Sequence, residues 1–430
     1  MTDDIVTYST VVLRPDPART VIRPFVPEDA PAFAIPNHPR AQRIADRVLA
    51  LDGAGLAQEL QQVLEPLSFR YRDIADVLMR RFEAVNGPMI NQTTIVRDQA
   101  LLIGAYFSEE YSFESAALFN PGIVRHPDQS GLPAGAIRFI LSLRGLGEGS
   151  LSSITFRTGT WRPNAEVLID PASRWAVTPR IEISAQEDPD QMVRLLCGGS
   201  RDLSETVIFP IMPSQRGGIE DLRMVQFADE DGSIRYIGTY TAFSGSEIRQ
   251  ELLQTSDFST FEMRPLGGSA SATKGMALFP RRIGGRYLML GRQDNENIWL
   301  LTSDDLHIWE GGRRIIAPKW PWEFIQLGNC GSPIEIEEGW LVISHGVGAV
   351  RNYCMGACLL DRDDPSKVLA RTTRPLLRAS AEQRDGYVPN VVYSCGALVH
   401  QRTLFLPYGV ADSFTTFASV PLADLLATMT

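Results

Sequence analysis

The 430-residue chain has no apolar run near the ~18 residues needed to cross a bilayer. Its start, MTDDIVTYST, lacks a basic stretch followed by an apolar one, so no secretory signal is expected. Histidine is scarce, with five residues and no paired spacing, which leaves no metal site to predict. The five cysteines (Cys197, Cys330, Cys354, Cys358 and Cys395) are odd in number and scattered, so they suggest neither a disulfide framework nor zinc. No G-x-S-x-G elbow is present, which lowers serine-hydrolase readings. GLGEGS (145–150) follows a strand signal and opens no helix, so it reads as a turn and not a nucleotide loop. Positive charge is also short: 41 Lys+Arg against 51 Asp+Glu leave a net charge of −10. That balance argues against nucleic acid or an anionic membrane as a partner. A cytoplasmic protein without a bound cofactor is the simplest expectation.

What the chain does contain is a repeat. Five short apolar runs end near a polar or ionisable residue: RFILSLR at Arg144, RYIGTYT at Thr241, RYLMLGR at Arg292, GWLVISH at His345 and RTLFLPY at Tyr408. Each follows a turn signal, and each has another apolar stretch upstream. The aligned ends are 97, 51, 53 and 63 residues apart, and an irregular stretch over about 160–215 accounts for the long first interval. Strand repeats of about 50 residues indicate blades stacked side by side. The pattern therefore predicts an all-β, five-bladed β-propeller with inner, middle and outer strands over 96–430. A β-sandwich explains the strands but not the repeated strand ends. In a radial array those ends converge, so Arg144, Arg292, His345 and Tyr408 are expected to ring one pocket.

Residues 1–95 differ. A proline-rich extended arm reaches about residue 37, and apolar spacings of three and four then predict three helices between Pro39 and Val85. Breaks are expected at Asp52-Gly53 and near Pro66. Such a unit can pack on the body, join subunits into a homo-oligomer, or rim the pocket; packing is the plainest role.

Candidate chemistry gathers where inner strands begin. Asn120 lies in Phe119-Asn120-Pro121, and GIEDLR carries the adjacent acids Glu220 and Asp221. Neighbouring strand residues point to opposite faces, so one of the pair should face the pocket while the other holds a partner such as Arg223. An isolated Glu-Asp is more often a structural ion pair. Lys274, Asn295, Glu296, Asn329, Glu335, Asn390 and Asp412 fall at comparable places. Arg, Lys and His mixed with carboxylates and amides suit a polyhydroxylated, anionic ligand. Trp320, Trp322, Phe324, Tyr387 and Tyr408 supply aromatic surface for a sugar face, although most aromatics in such a fold are core.

Six ordered motifs then stand together: GIEDLR, K-G-M-x-L-F-P (274–280), G-S-P-I with E-G-W-L (331–341), S-H-G-V (344–347), D-D-P-S-K-V-L-A-R (363–371) and V-P-N-V-V-Y-S-C-G (388–396). Together they resemble glycoside hydrolase family 130, the five-bladed propellers that are β-mannoside phosphorylases and, in some members, β-mannosidases. The resemblance implies that Asp221 is the acid that protonates the glycosidic oxygen, with inversion at the anomeric carbon. It also implies that Asn120, Arg144, Arg292, His345 and Asp412 line the sugar subsite or its phosphate pocket.

Departures from the family pattern bear on which reaction to expect. Its phosphorylases have Arg-Asn where this chain has Lys274-Gly275, Lys where it has Gln326, and His where it has Gly291. Each lost charge-assisted hydrogen bond weakens phosphate binding by roughly 1.5–3 kcal/mol. An inverting hydrolase instead needs a carboxylate base, roughly 6.5–9.5 Å from the acid. The resulting expectation is hydrolysis of manno-oligosaccharides with Asp221 as acid and Glu296 or Glu335 as base. The alternative is phosphorolysis, with inorganic phosphate as co-substrate held by Arg144, Lys274, Arg292 and His345. A sugar-binding propeller without catalysis is a third reading, and the acid at Asp221 argues against it.

Overall fold

The computed structural model describes residues 5–35, 38–91, 94–183, 192–380 and 385–430. The first few residues of the expected arm and its Pro36-Asn37 lie outside them. Two compact units are present: residues 1–16, 114–173 and 177–430 form one, and residues 17–113 with 174–176 form the other. The boundary thus differs from the expected break at 95/96 at both ends of the arm and helices.

Among its described residues the larger unit holds five antiparallel sheets, each built around one of the five apolar runs. The middle strands are Ile137–Leu146, Ile234–Phe243, Tyr287–Gly291, Gly339–Gly348 and Thr403–Val410. Each has a hydrogen-bonded neighbour on both sides. Inner partners precede them: Ala117–Arg125, Gly218–Ala228, Ala277–Leu278, Gln326–Asn329 with Ile334–Ile336, and Val392–Tyr393 with Leu398–His400. Outer strands follow them. The stretch read as an insertion is partly absorbed: Arg180–Ile183 and Val193–Leu196 extend the second sheet to six strands.

Each sheet packs on the next. The first touches the second, the second the third, the third the fourth and the fourth the fifth, and Thr403–Val410 of the fifth returns to Ala117–Arg125 of the first. An apolar cluster fills every gap. Phe156 and Phe261 stack between sheets one and two, while Met289 and Trp309 join Phe227 between two and three. Phe279 meets Trp340 between three and four, Leu341 faces Leu406 between four and five, and Phe139 and Trp161 meet Phe405 between one and five. Middle strands therefore bury both faces, which is why they read as unbroken apolar runs and not as an alternation. Gly339–Gly348 is buried at every position. Between sheet-three strands the chain reverses at Gly284-Gly285, whose φ values of 59° and 78° suit a two-residue hairpin turn.

Part of the predicted arm joins the larger unit. Thr7–Leu13 pairs antiparallel with Phe414–Pro421 and forms the outer strand of the fifth sheet. In the smaller unit, helices α1 (Arg40–Leu49), α2 (Gly53–Arg70), α3 (Ile74–Val85) and α4 (Arg97–Tyr106) share one apolar cluster. Asp52 caps α2 by accepting from the Gly55 N–H at 2.7 Å. The break expected at Pro66 comes later: α2 runs on to Arg70, and the chain turns at Asp73 with φ 52°. Proline deletes one helical hydrogen bond, but Leu64 and Leu67 on either side keep their packing. No helix among the described residues is long and apolar enough to cross a membrane.

Candidate active site

Two backbone irregularities build the centre. The ladder between Ala117–Arg125 and its partner slips between Phe119 and Gly122, and the ladder of Gly218–Ala228 slips between Glu220 and Arg223. Asn120 and Asp221 sit in these bulges with left-handed φ values of 48° and 56°. Asn and Asp tolerate that region better than most side chains, and a bulge re-aims a side chain that the pleat would turn away. Strand alternation predicted that only one of Glu220 and Asp221 could face the pocket. The bulge removes that constraint, and both reach the same arginine.

Asp221 accepts from Asn120 Nδ2 at 2.8 Å. Arg144 Nη1 lies 3.6 Å from Asp221 Oδ1, while Arg144 Nη2 donates to Glu220 Oε1 at 2.9 Å. The other Glu220 oxygen accepts from Lys274 Nζ, also at 2.9 Å. Behind the acid, Arg223 donates to the Asp221 carbonyl at 2.9 Å, to the Cys330 carbonyl at 2.8 Å and to Tyr393 Oη at 2.8 Å. Arg223 therefore ties the second sheet to the fourth and fifth from a fully buried position.

Arg292 and His345 form a second cluster. Arg292 Nη1 lies 3.3 Å from His345 Nε2, and because arginine can only donate, that imidazole nitrogen is the acceptor. Burial, and then Arg292 and Arg223, push the His345 pKa well down, so the ring is neutral. The expected four-cation pocket thus has three cations. Two glycines make room for them. A Cβ on Gly275, whose φ is 81°, would come within 2.7 Å of Arg292 Nε, and one on Gly328 would overlap Arg292 Cδ and His345 Cε1. Arg292 Nε is buried with no hydrogen-bond partner among the described residues. Asn329 donates to the Gly275 carbonyl at 2.9 Å, and its Oδ1 is likewise buried without a partner.

The fifth sheet contributes Asp412, in a turn with φ 49°. Burial, and then the charge on Asp221, push its carboxyl up to about 6, against opposing pulls from Arg144 and Arg351. Asp221 behaves differently. Burial alone would raise it, but Arg144, Arg223, the Asn120 amide and Lys274 outweigh burial and hold it below the usual carboxylate range.

Other predicted residues fall elsewhere. Tyr408 is 2% exposed in the apolar cluster between sheets four and five, because its position on the strand faces the core and not the pocket. Thr241 is buried opposite Glu220, and its hydroxyl accepts from Gln250 at 2.8 Å. Glu335 lies at the far end of its inner strand, six residues beyond Asn329, or roughly 20 Å of extended chain. There Arg281 grips both its oxygens, at 2.6 and 2.9 Å, beside a separate cavity of 410 Å³. That placement removes Glu335 as a base. Glu296 stays at the near end, exposed in a turn whose carbonyl accepts from the Leu327 N–H. Gln326 opens the inner strand of the fourth sheet, half-buried. Tyr393 and Arg351 were missed; Tyr393 follows an apolar pair and reads as core, and Arg351 is one of many surface arginines in sequence.

The fold is shared with solved structures. A Listeria innocua β-1,2-mannobiose phosphorylase, solved with β-1,2-mannobiose, superposes with a TM-score of 0.51 at 23% identity, over 73% of this chain and 92% of its own. A structure described among glycoside hydrolases that target β-1,2 mannosidic linkages in Candida mannan gives 0.53 at 18% identity, over 72% of this chain and 86% of its own. The chain belongs to glycoside hydrolase family 130: the family profile, described as beta-1,4-mannooligosaccharide phosphorylase, matches residues 199–430. In sequence it is 33% identical over 229 residues to the β-1,2-mannobiose phosphorylase of Listeria innocua, covering 51% of this chain and 62% of that one. It is 40% identical over 154 residues to a 1,2-β-oligomannan phosphorylase of Thermoanaerobacter, covering 35% and 52%. The chain thus spans between half and two thirds of the length of these relatives.

Proposed function

We propose that this chain is a five-bladed β-propeller enzyme that cleaves the β-mannosidic bond of manno-oligosaccharides with inorganic phosphate and releases mannose 1-phosphate. The observation that carries this reading is Arg292, a buried guanidinium with no ion pair among the described residues and a partnerless Nε, set beside a neutral histidine. A planar guanidinium with free N–H groups suits a tetrahedral oxyanion. The curated relatives named above are phosphorylases, and the removal of Glu335 leaves hydrolysis with one fewer candidate base.

In this reading a phosphate oxygen attacks the anomeric carbon as the bond to the glycosidic oxygen breaks. Asp221 supplies the proton to the departing oxygen. Its ionised resting state fits a two-step loading: the incoming phosphate opposes the field of the surrounding cations, raises the Asp221 pKa and lets it take up a proton. The oligosaccharide substrate and the propeller architecture belong to the same proposal.

Hydrolysis is the second reading, with Glu296 as base, and the pairing of Arg144 and Lys274 with Glu220 favours it. Incubating manno-oligosaccharides with and without phosphate separates the two. Mannose 1-phosphate formed only with phosphate is the expected product, and free mannose at the same rate in both reactions would overturn it.

A further inference from the structure

Glu220 spans two cations that the site's anion would otherwise claim. One of its oxygens accepts from Arg144 of the first sheet and the other from Lys274 ahead of the third, each at 2.9 Å. The carboxylate is largely shielded, with 16% of its side chain exposed, and so is Arg144 with 17%. Across the ladder stands Thr241, an uncharged residue already bonded to Gln250, so no further charge enters from that strand. Arg144 leans on Asp221 with Nη1, 3.6 Å from Oδ1. The site therefore holds two different kinds of cation: Arg144 and Lys274, each matched by a carboxylate, and Arg292, matched by none.

We propose that Glu220 is the specificity-determining residue for the anion. Its single negative charge offsets part of the two positive charges of Arg144 and Lys274, which directs phosphate to Arg292, and it holds Arg144 against Asp221 where the leaving oxygen must be protonated. The inference rests on the reading that the site takes phosphate. An oxyanion near Arg144 and Lys274 meets a carboxylate that already takes one N–H of each and repels it, although Arg144 Nε is buried without a partner among the described residues. An oxyanion at Arg292 meets free N–H groups. With Glu220 uncharged, Arg144 and Lys274 become a second anion site beside the acid, and anion bound there blocks the place of the leaving sugar.

The test is calorimetric titration of the full chain with sodium sulfate, a non-reacting oxyanion, in the wild type, Glu220→Gln and Glu220→Asp. Glutamine keeps the size of the side chain and removes its charge. The expected result for Glu220→Gln is either a second bound sulfate or at least tenfold tighter binding. In parallel, kcat should fall while the KM for phosphate falls with it. Aspartate, reaching one cation instead of two, should give a smaller gain in sulfate affinity and partial recovery of kcat, which also keeps the test informative if glutamine prevents folding. Sulfate stoichiometry and Kd unchanged in both variants, with kcat alone reduced, would mean that Glu220 is structural and overturn the proposal. The titration needs no turnover. A wild type that releases free mannose regardless of phosphate would defeat the phosphorylase reading while leaving the anion measurement to be judged separately.

Discussion

At the scale of single residues, the site keeps its carboxyl groups in unlike states. Asp221 is held ionised by the cations and amide around it, whereas Asp412, half-buried and within the field of Asp221, is pushed up to about 6. The consequence for stability follows from linkage. A carboxyl whose folded pKa lies above its unfolded value of 3.8 binds its proton more tightly in the folded state. Its contribution is therefore neutral at low pH and becomes destabilising as pH rises from about 4 through 6. The cost above that window is roughly 2–3 kcal/mol, since each unit of pKa difference corresponds to about 1.4 kcal/mol. Asp412→Asn should thus gain about that much over the wild type at pH 8 and almost nothing at pH 4, read by urea unfolding at both values. An equal gain at both pH values would show that the asparagine acts through packing and not through charge.

At the scale of elements, what could be read in the chain and what could not have distinct physical causes. The middle strands were legible because neighbouring sheets cover both faces, so that GWLVISH and RFILSLR carry few polar interruptions. Arg144, Arg292 and His345 were legible as their ends. The bulges at Asn120 and Asp221 were not, since alternation presumes an unbroken ladder and a single left-handed residue resets it without changing composition. Glu335 was misplaced for a related reason: the kind of residue suggests a base, but its position along the strand decides which end of the sheet it occupies. Gly275 and Gly328 looked like lost ligands or ordinary glycines, yet they provide the space in which Arg292 lies. A methyl group at residue 328 would overlap both Arg292 and His345 in a fully packed setting. Gly328→Ala should therefore displace both side chains, raise the KM for phosphate by tenfold or more, and cost about 1–3 kcal/mol of stability as overpacking does. Steady-state kinetics with varied phosphate, together with thermal unfolding, check it. An unchanged KM would mean that Arg292 does not hold the anion.

At the scale of the whole molecule, the five sheets form a circuit of contacts, and the fifth sheet is completed by strands far apart in sequence. Residues 5–13 serve that closure. Thr7–Leu13 completes the fifth sheet against Phe414–Pro421, with Thr416 Oγ1 donating to the Val11 carbonyl at 2.9 Å. Ile5 and Val6 enter the cluster shared with the fourth sheet, and Val11 and Leu13 the one shared with the first. The proline-rich composition of the arm hid this strand, because a lone edge strand with half its side chains exposed lacks the continuous apolar signature of the middle strands. Removing residues 1–13 would strip one face from two apolar clusters and open the backbone edge of Phe414–Pro421. Four partly or fully buried aliphatic side chains, each contributing up to about 1.5–3 kcal/mol when wholly buried, place the loss at roughly 3–6 kcal/mol. An open edge of this kind also templates pairing between chains. The shortened chain should therefore unfold several degrees below the full one and associate on size-exclusion chromatography. A synthetic peptide of residues 5–13 added in excess should restore part of both, because it can add back as a strand. The site lies on the inner strands, away from this outer edge, so KM values measured well below the melting temperature should stay close to those of the full chain; a large change in them would show that closure of the fifth sheet also sets the position of Asp412.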